Sequence, residues 1–329
     1  MMYYVMCYII SIGGYSLQAI DSVTIMKSVE NLADTATIVI PGTYINRSIQ
    51  IEDKIKEGDA VEIRLGYNDA LMLEFRGYVD AISTDNSTIR IDCIDALYLF
   101  KKPLANREYK NIPLKNLLKT VADEVNRQNK EAGAPTRYVV DCDYGFDWKK
   151  FVFFKATAFD VLKKIQDETK ANIYFKDEVL HIHSPYSEIT NREPVIYDFA
   201  QNIEKSDLKY VLLKNKKIEI VVSSTQPDGK TKKVAYGNTG GEKHFFTSNG
   251  VSDSSMKTLA QQKYNLFAYD GYEGHFTGWL MPFVEPAYKI RLRDKEYPYK
   301  DGDYYVISVE TKFGGNGGSR TVTLGRRLS

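Results

Sequence analysis

A chain of 329 residues is long enough for two or three domains, and 43% hydrophobic with 26% charged residues is the balance of an ordinary globular protein. A net charge of +1 gives no global pull towards nucleic acid, while 24 Tyr and 15 Phe against 2 Trp lean towards strands, where aromatic rings pack well on a pleated surface. Cys7, Cys93 and Cys142 lie far apart, which excludes a disulfide framework and a paired-cysteine metal site and fits assembly in a reducing cytoplasm.

The apolar opening, residues 1–14, has no basic leader or small-residue cleavage site and is too short to span a bilayer. It is expected to be a first strand, and no membrane insertion is expected. Val23–Met26 and Thr35–Ile40 add strands ahead of Pro41-Gly42. Between Lys56 and Asp95 three strands follow from period-two alternation: Val61, Ile63, Leu65; then Leu71, Leu73, Phe75, Gly77, Val79; then Ile89, Ile91, Cys93. Turns are expected at Gly66–Asp69 and at Ser83–Ser87. Residues 1–98 thus predict a small antiparallel β-barrel or sandwich. They hold 7 Lys and Arg against 14 Asp and Glu, so this part should repel phosphates.

Residues 99–187 change character and predict an α+β middle domain. Pro113 opens a helix with Leu114, Leu117, Leu118, Val121 and Val125 on one stripe, closed by Gly133-Ala134-Pro135. Thr157 caps a second helix with Phe159, Leu162 and Ile165 inward. A hairpin of Asn172–Phe175 and Val179–His183 turns at Lys176–Glu178. Residues 188–329 return to strands from Val195, with Lys209–Leu213 and Lys217–Val222 strand-like. A polar, glycine-rich insertion, about 223–255, reads as a long loop or projecting hairpin, and a helix is expected over about 254–267 on Met256, Leu259, Ala260, Lys263 and Leu266.

The end of the chain repeats its beginning. Ile290-Arg291-Leu292 echoes Ile63-Arg64-Leu65, and the same step of 227 positions carries Tyr78-Val79 to Tyr305-Val306 and Ile82 to Val309. The last strand slips after the glycines of Gly314–Gly318, with Val322 and Leu324 set against Ile89 and Ile91. Two similar small β-barrels are therefore expected at the two chain ends, on a mainly β chain.

Little in the chain suggests catalysis. His181 and His183 place two imidazoles on one face of a strand, a geometry metals can use, but no third ligand stands at useful spacing nearby, so no metal site is expected. His244 and His275 read as surface residues. The runs Gly237–Gly241 and Gly314–Gly318 lack the strand-to-helix setting of a phosphate cradle. No catalytic, cofactor or metal residue is assigned and no cofactor is expected. Lys214, Lys216, Lys217, Lys230, Lys232 and Lys233 form basic clusters read as an exposed protein-contact surface. The alternative, a tail-associated peptidoglycan hydrolase, would need a cleft with convergent carboxylates or a metal, and only His181 and His183 hint at one. A carbohydrate-binding module would need exposed aromatics, whereas Tyr78, Tyr304 and Tyr305 sit inside the repeated strands.

In four stretches the sequence resembles the baseplate hub proteins of contractile phage tails, the late control protein D family, and the hub part of VgrG spikes. They are Val23–Gly42 with its Glu30–Asp34 link; Gly58–Ile63 with Phe75–Val79; Thr157–Phe175 with Val179–Ile182; and Gly302–Ile307 with Leu324–Leu328. The resemblance implies a structural homotrimer with two tube-forming barrels per chain. Three chains would then form a six-unit ring, adapting a trimeric spike to the sixfold tail tube. It also implies partners: the tail tube protein, a spike trimer and baseplate wedge proteins. DNA would pass through an acidic channel without specific binding. The place would be the tail baseplate of a virion assembled in the bacterial cytoplasm. With the sequence ending at Ser329, the spike is expected on a separate polypeptide, which favours a phage or phage-like hub over a VgrG.

Overall fold

The computed structural model describes residues 4–42, 54–85, 87–134, 137–187, 189–191, 193–212 and 217–328. Asn86, Pro135, Leu213, Lys214 and Lys216, on which some of the expectations above fall, lie outside them. The fold is mainly β, 51% strand with three helices among the described residues, and its sheets are largely antiparallel.

The first part contains β1 (Met6–Ile12), β2 (Tyr15–Ser16), β3 (Ser22–Ser28), β4 (Thr35–Pro41), β5 (Ala60–Tyr67), β6 (Ala70–Thr84) and β7 (Thr88–Ile94). Alternation drives these strands: Val61, Ile63 and Leu65 turn inward to meet Ile10, Ile12, Ile25, Ile38 and Ile91 in one core. The β5–β6 turn is tighter than expected. Only Asn68 and Asp69 lie outside the strands, at φ of 49° and 64°, the paired left-handed geometry of a two-residue hairpin.

The middle contains β8 (Arg107–Pro113), α1 (Leu114–Glu131), β9 (Val139–Cys142), β10 (Asp147–Phe153), α2 (Ala158–Thr169), β11 (Asn172–Lys176) and β12 (Val179–His183). Leu114, Leu117, Leu118, Val121 and Val125 are all buried along α1. Thr157 and Asp160 cap α2 reciprocally, each side chain bonding the other's backbone N–H.

The remainder contains β13 (Val195–Asp198), β14 (Ile203–Val211), β15 (Ile218–Thr225), β16 (Thr231–Gly237), β17 (Glu242–Thr247), α3 (Asp253–Phe267), β18 (Gly271–Trp279), β19 (Lys289–Arg293), β20 (Gly302–Gly314) and β21 (Gly317–Arg327). Of the two readings of 223–255, the hairpin is present and the long loop is not. The stretch carries the end of β15, its antiparallel partner β16, and β17, which pairs parallel on the other side of β15. Most of β16 and of β17 is exposed, so neither strand shows the alternation that would mark it in sequence. Ile218, Ile220 and Val222 of this sheet and Met256, Leu259 and Ala260 of α3 join the core of the middle part, with Leu117, Phe151 and Leu162. The C-terminal strands keep a separate core of Tyr197, Phe276, Ile290, Leu292, Val306 and Val322.

The strands at the two chain ends belong to one 13-stranded sheet. Within it the order β3-β4-β7-β6-β5-β1 is matched by β14-β18-β21-β20-β19-β13. The match extends to an irregularity. A register shift lies between Val79 and Ala81 on β6 and, 227 positions on, between Val306 and Ser308 on β20. Pairing also corrects the last strand: Ile82 faces Ile91 and Val309 faces Val322, so Val322 corresponds to Ile91 and Leu324 to Cys93. The second hairpin is longer, extending through Gly314 opposite Gly317. One pairing differs: β1 runs antiparallel to β5, whereas β13 runs parallel to β19. No pairing among the described residues closes either set on itself; β3 and β20 join the two sets. No helix among those residues is long and apolar enough to cross a membrane.

Candidate functional site

The β3–β20 junction shows what each set of strands offers its neighbour. On one side β20 pairs with β21. On the other, Gly302–Tyr305 pair with β19 and Ser308–Gly314 pair with β3, from Ser308 against Ser28 to Gly314 against Ser22. The first set has the same arrangement with one place vacant. β5 covers Ala70–Tyr78 of β6, and among the described residues Ala81–Thr84 pair only with β7. The counterpart of β3 is β14, which pairs only with β18 there. Following the paired residues across the sheets carries Ile25 to Leu208 and Thr311 to Thr84. Ile25 is fully buried; on β14, Leu208 is half-buried and Tyr210 is 45% exposed. Among the described residues, one chain thus presents an acceptor edge and a donor edge of matching design, neither of them paired to a further strand there.

A buried ion pair fixes the two sets to each other. Arg320 on β21 is 1% exposed and Glu74 on β6 is 2% exposed; Nη2 donates to Glu74 Oε1 at 2.6 Å and Nη1 to Oε2 at 3.2 Å. The other guanidinium hydrogens go to the carbonyl oxygens of Leu280 and Val284 and to Thr311 Oγ1. Such a bidentate, fully bonded pair fixes geometry as well as charge.

Beside this junction lies a cleft of about 470 Å³ whose lining includes Lys27, Asp34, Asp95, Tyr138 and Glu285. Its carboxylates Asp34, Asp95 and Glu285 are occupied by structure. Asp95 accepts the N–H groups of Asp34 and Leu97, capping the short 3₁₀ turn Ala96–Phe100, and Asp34 accepts the N–H of Ser28. Burial, then the Asp34 charge, pushes the Asp95 carboxyl up to about 8. Burial likewise raises Asp34 to about 6, with Lys27 opposing. Burial works on Glu285 in the same sense, but Lys27, 2.8 Å away, and Lys176 outweigh it and hold that carboxyl below its ordinary value.

His181 and His183 lie on β12, and β9 runs parallel beside them with Asp141 directly opposite His181. His181 Nδ1 stands 3.3 Å from Asp141 Oδ2 and 3.4 Å from His183 Nε2, and His183 Nε2 is 3.6 Å from the same carboxylate. Asp143 Oδ1 lies 2.7 Å from His183 Nδ1. The third group sits some 40 positions upstream in sequence, on a strand of four residues, so local spacing could not reveal it. His244 is half-buried and stacks on Phe267 with ring centroids 4.6 Å apart, while His275 is exposed on β18. Lys217, Lys230 and Lys233 are exposed; Lys232 is paired to Asp253 at 2.7 Å, so that cluster is partly neutralised. All three cysteines are free.

No protein-family model matches the sequence, and no curated protein does. Solved structures do match. A tail protein from Neisseria meningitidis MC58 superposes with a TM-score of 0.68 at 13% identity, over 99% of this chain and 97% of that one. The 43 kDa tail protein of prophage MuSo2 from Shewanella oneidensis gives 0.65 at 14% identity, over 97% and 96%. This chain has the fold of phage tail proteins. The tail-protein fold extends to a type VI secretion system component of E. coli, itself similar to bacteriophage T4 tail proteins, with a TM-score of 0.60 at 11% identity over 97% of this chain and 79% of that one. At such identities the likeness is carried by strand order and not by shared side chains.

Proposed function

We propose that this protein is the structural hub of a contractile phage or phage-like tail, a homotrimer that adapts a trimeric spike to a sixfold tube. The observation carrying this reading is the doubled strand order together with its internal junction. β3 of the first set docks on β20 of the second, and the counterpart contact, β14 on β6, is not made among the described residues of one chain. Supplied by a neighbouring copy, it sets Thr84 against Leu208, Ser83 against Lys209 and Ile82 against Tyr210. Repeating two near-equivalent contacts gives a ring in which each chain counts twice, and closure removes the open edges. Three chains give the six units that a tube ring requires.

The tube protein, the spike, baseplate wedge proteins and passing DNA are the partners in this reading, with the virion baseplate as the location. The exposed face of the first set carries charges of both signs in pairs, Arg90 with Asp92, and Arg64 and Arg76 with Glu62, which supports passage of DNA without strong adhesion. The structural role needs no catalysis, and the bonding of Asp34 and Asp95 supports this. We also propose that residues 217–267 belong with the middle domain, on the evidence of their shared core, and that 1–98 and the remaining strands after 188 (β13, β14 and β18 to β21) form the two tube units. The likeness to the E. coli secretion component favours an injection device of that type as the second reading.

Replacing Ser83 and Lys209 by cysteine tests the ring. Mild oxidation is expected to link copies of S83C/K209C, and light scattering of the unmodified chain should give three times 37.6 kDa. A one-chain mass together with no inter-chain disulfide overturns the proposal.

A further inference from the structure

We propose that Asp141, His181 and His183 form a binding site for one divalent transition-metal ion of the zinc class. The three donor atoms lie 3.3, 3.4 and 3.6 Å apart. Ligands at about 2.0–2.1 Å from a tetrahedral ion stand about 3.3–3.4 Å from one another, so an ion fits among them with little rearrangement. Three independent features of the fold produce this spacing. Period two puts both imidazoles on one face of β12. The parallel register sets Asp141 against His181. Tyr174, on the adjacent strand β11, stacks on the His181 ring at 5.1 Å and 12° and limits its rotation.

The neighbourhood of His183 decides between a metal site and an ordinary polar cluster. The residue is only 4% exposed. Its Nδ1, 2.7 Å from Asp143 Oδ1, is the side that carries the proton in the neutral ring, which turns the Nε2 lone pair towards His181 and Asp141. A carboxylate behind a ligating histidine is the usual support of a metal-bound imidazole, fixing its tautomer and raising its basicity. Two nitrogens and one oxygen suit zinc, cobalt, nickel or copper, and are too few oxygens for calcium or magnesium. Asp141 is exposed, so a fourth position on its side is open to water. The ion would tie β9 to the end of β12, where the chain leaves the middle part for the C-terminal strands. This inference stands apart from the hub reading, because it uses only residues of the middle sheet.

Titration of the untagged full chain with Co(II) tests it. The visible absorption of tetrahedral cobalt should saturate at one ion per chain, be displaced by Zn(II), and disappear in Asp141→Asn and His181→Gln. Asp143→Asn, which removes only the support, should weaken binding by about 10–100-fold. Zn(II) should also raise the melting temperature of the parent chain but not that of Asp141→Asn, an exposed substitution that leaves the core intact. Failure of the parent chain to bind, or unchanged binding in Asp141→Asn, overturns the proposal.

Discussion

Asp95 uses both carboxylate oxygens on main-chain N–H groups, from Asp34 on one side and Leu97 on the other, and does so almost out of reach of water. Its folded value of about 8 and that of Asp34, about 6, lie above the ordinary carboxylate value of about 3.9. These two carboxyls therefore hold more protons in the native state than in the unfolded one between about pH 4 and 8, and the stability they contribute falls as pH rises through that window. Urea denaturation should give a lower midpoint at pH 8.5 than at pH 5.5. Asp95→Asn should flatten the slope while lowering stability by about 1–3 kcal/mol at the acid end, because its amide accepts only one of the two N–H groups. An unchanged slope would show that other groups set the pH dependence. None of this could be read in sequence, where Asp95 is one more acidic residue at a strand end. Its partner Asp34, like Asp141 opposite His181, is brought near by pairing between segments far apart in the chain.

At the scale of elements, legibility follows from how many faces a strand buries. β5, β6, β7, β20 and β21 each press one face on a core, so their residues alternate and the duplication is visible by eye. β14 and β16 are exposed on most positions, and β9 has four residues; apart from the end of β14, from Lys209, nothing marks them. Helices were easier, since Thr157 and the α1 stripe state both start and buried face. The shared bulge at Asp80 and Ile307 was hidden because a register shift shows only when a strand is set against its partner. Glycine at position 77 marks a real difference between the copies. A Cβ there would lie 2.3 Å from the Ile94 carbonyl oxygen and 2.8 Å from the Phe75 ring. The second copy carries Tyr304 at the corresponding place and has an additional register shift, between Tyr304 and Val306. Gly77→Ala should therefore cost about 1–3 kcal/mol in chemical denaturation. Loss of less than about half a kcal/mol would mean that β6 and β7 can slide apart as β20 and β21 do.

At the scale of the whole molecule, the question is what makes the two sets of strands one rigid object. The β3–β20 ladder supplies seven paired positions, and Arg320 with Glu74 adds a lock that crosses 246 positions of sequence. Neither charge is exposed, so removing one partner leaves the other buried without its counter-charge. Arg320→Met and Glu74→Gln should each lower stability by about 3–5 kcal/mol, whereas replacing both charges with apolar side chains of similar volume should restore much of the loss. Cooperativity is the more telling readout. In the parent chain the ends share one sheet and should unfold in a single urea transition seen alike by fluorescence and circular dichroism. In Arg320→Met the join between the sets weakens while each keeps its own core, so the two probes should separate. Coincident transitions in that variant would mean that the ladder, with Leu280 and Phe313 packed into the first core, couples the sets, and that the ion pair sets their relative orientation without being needed to hold them together.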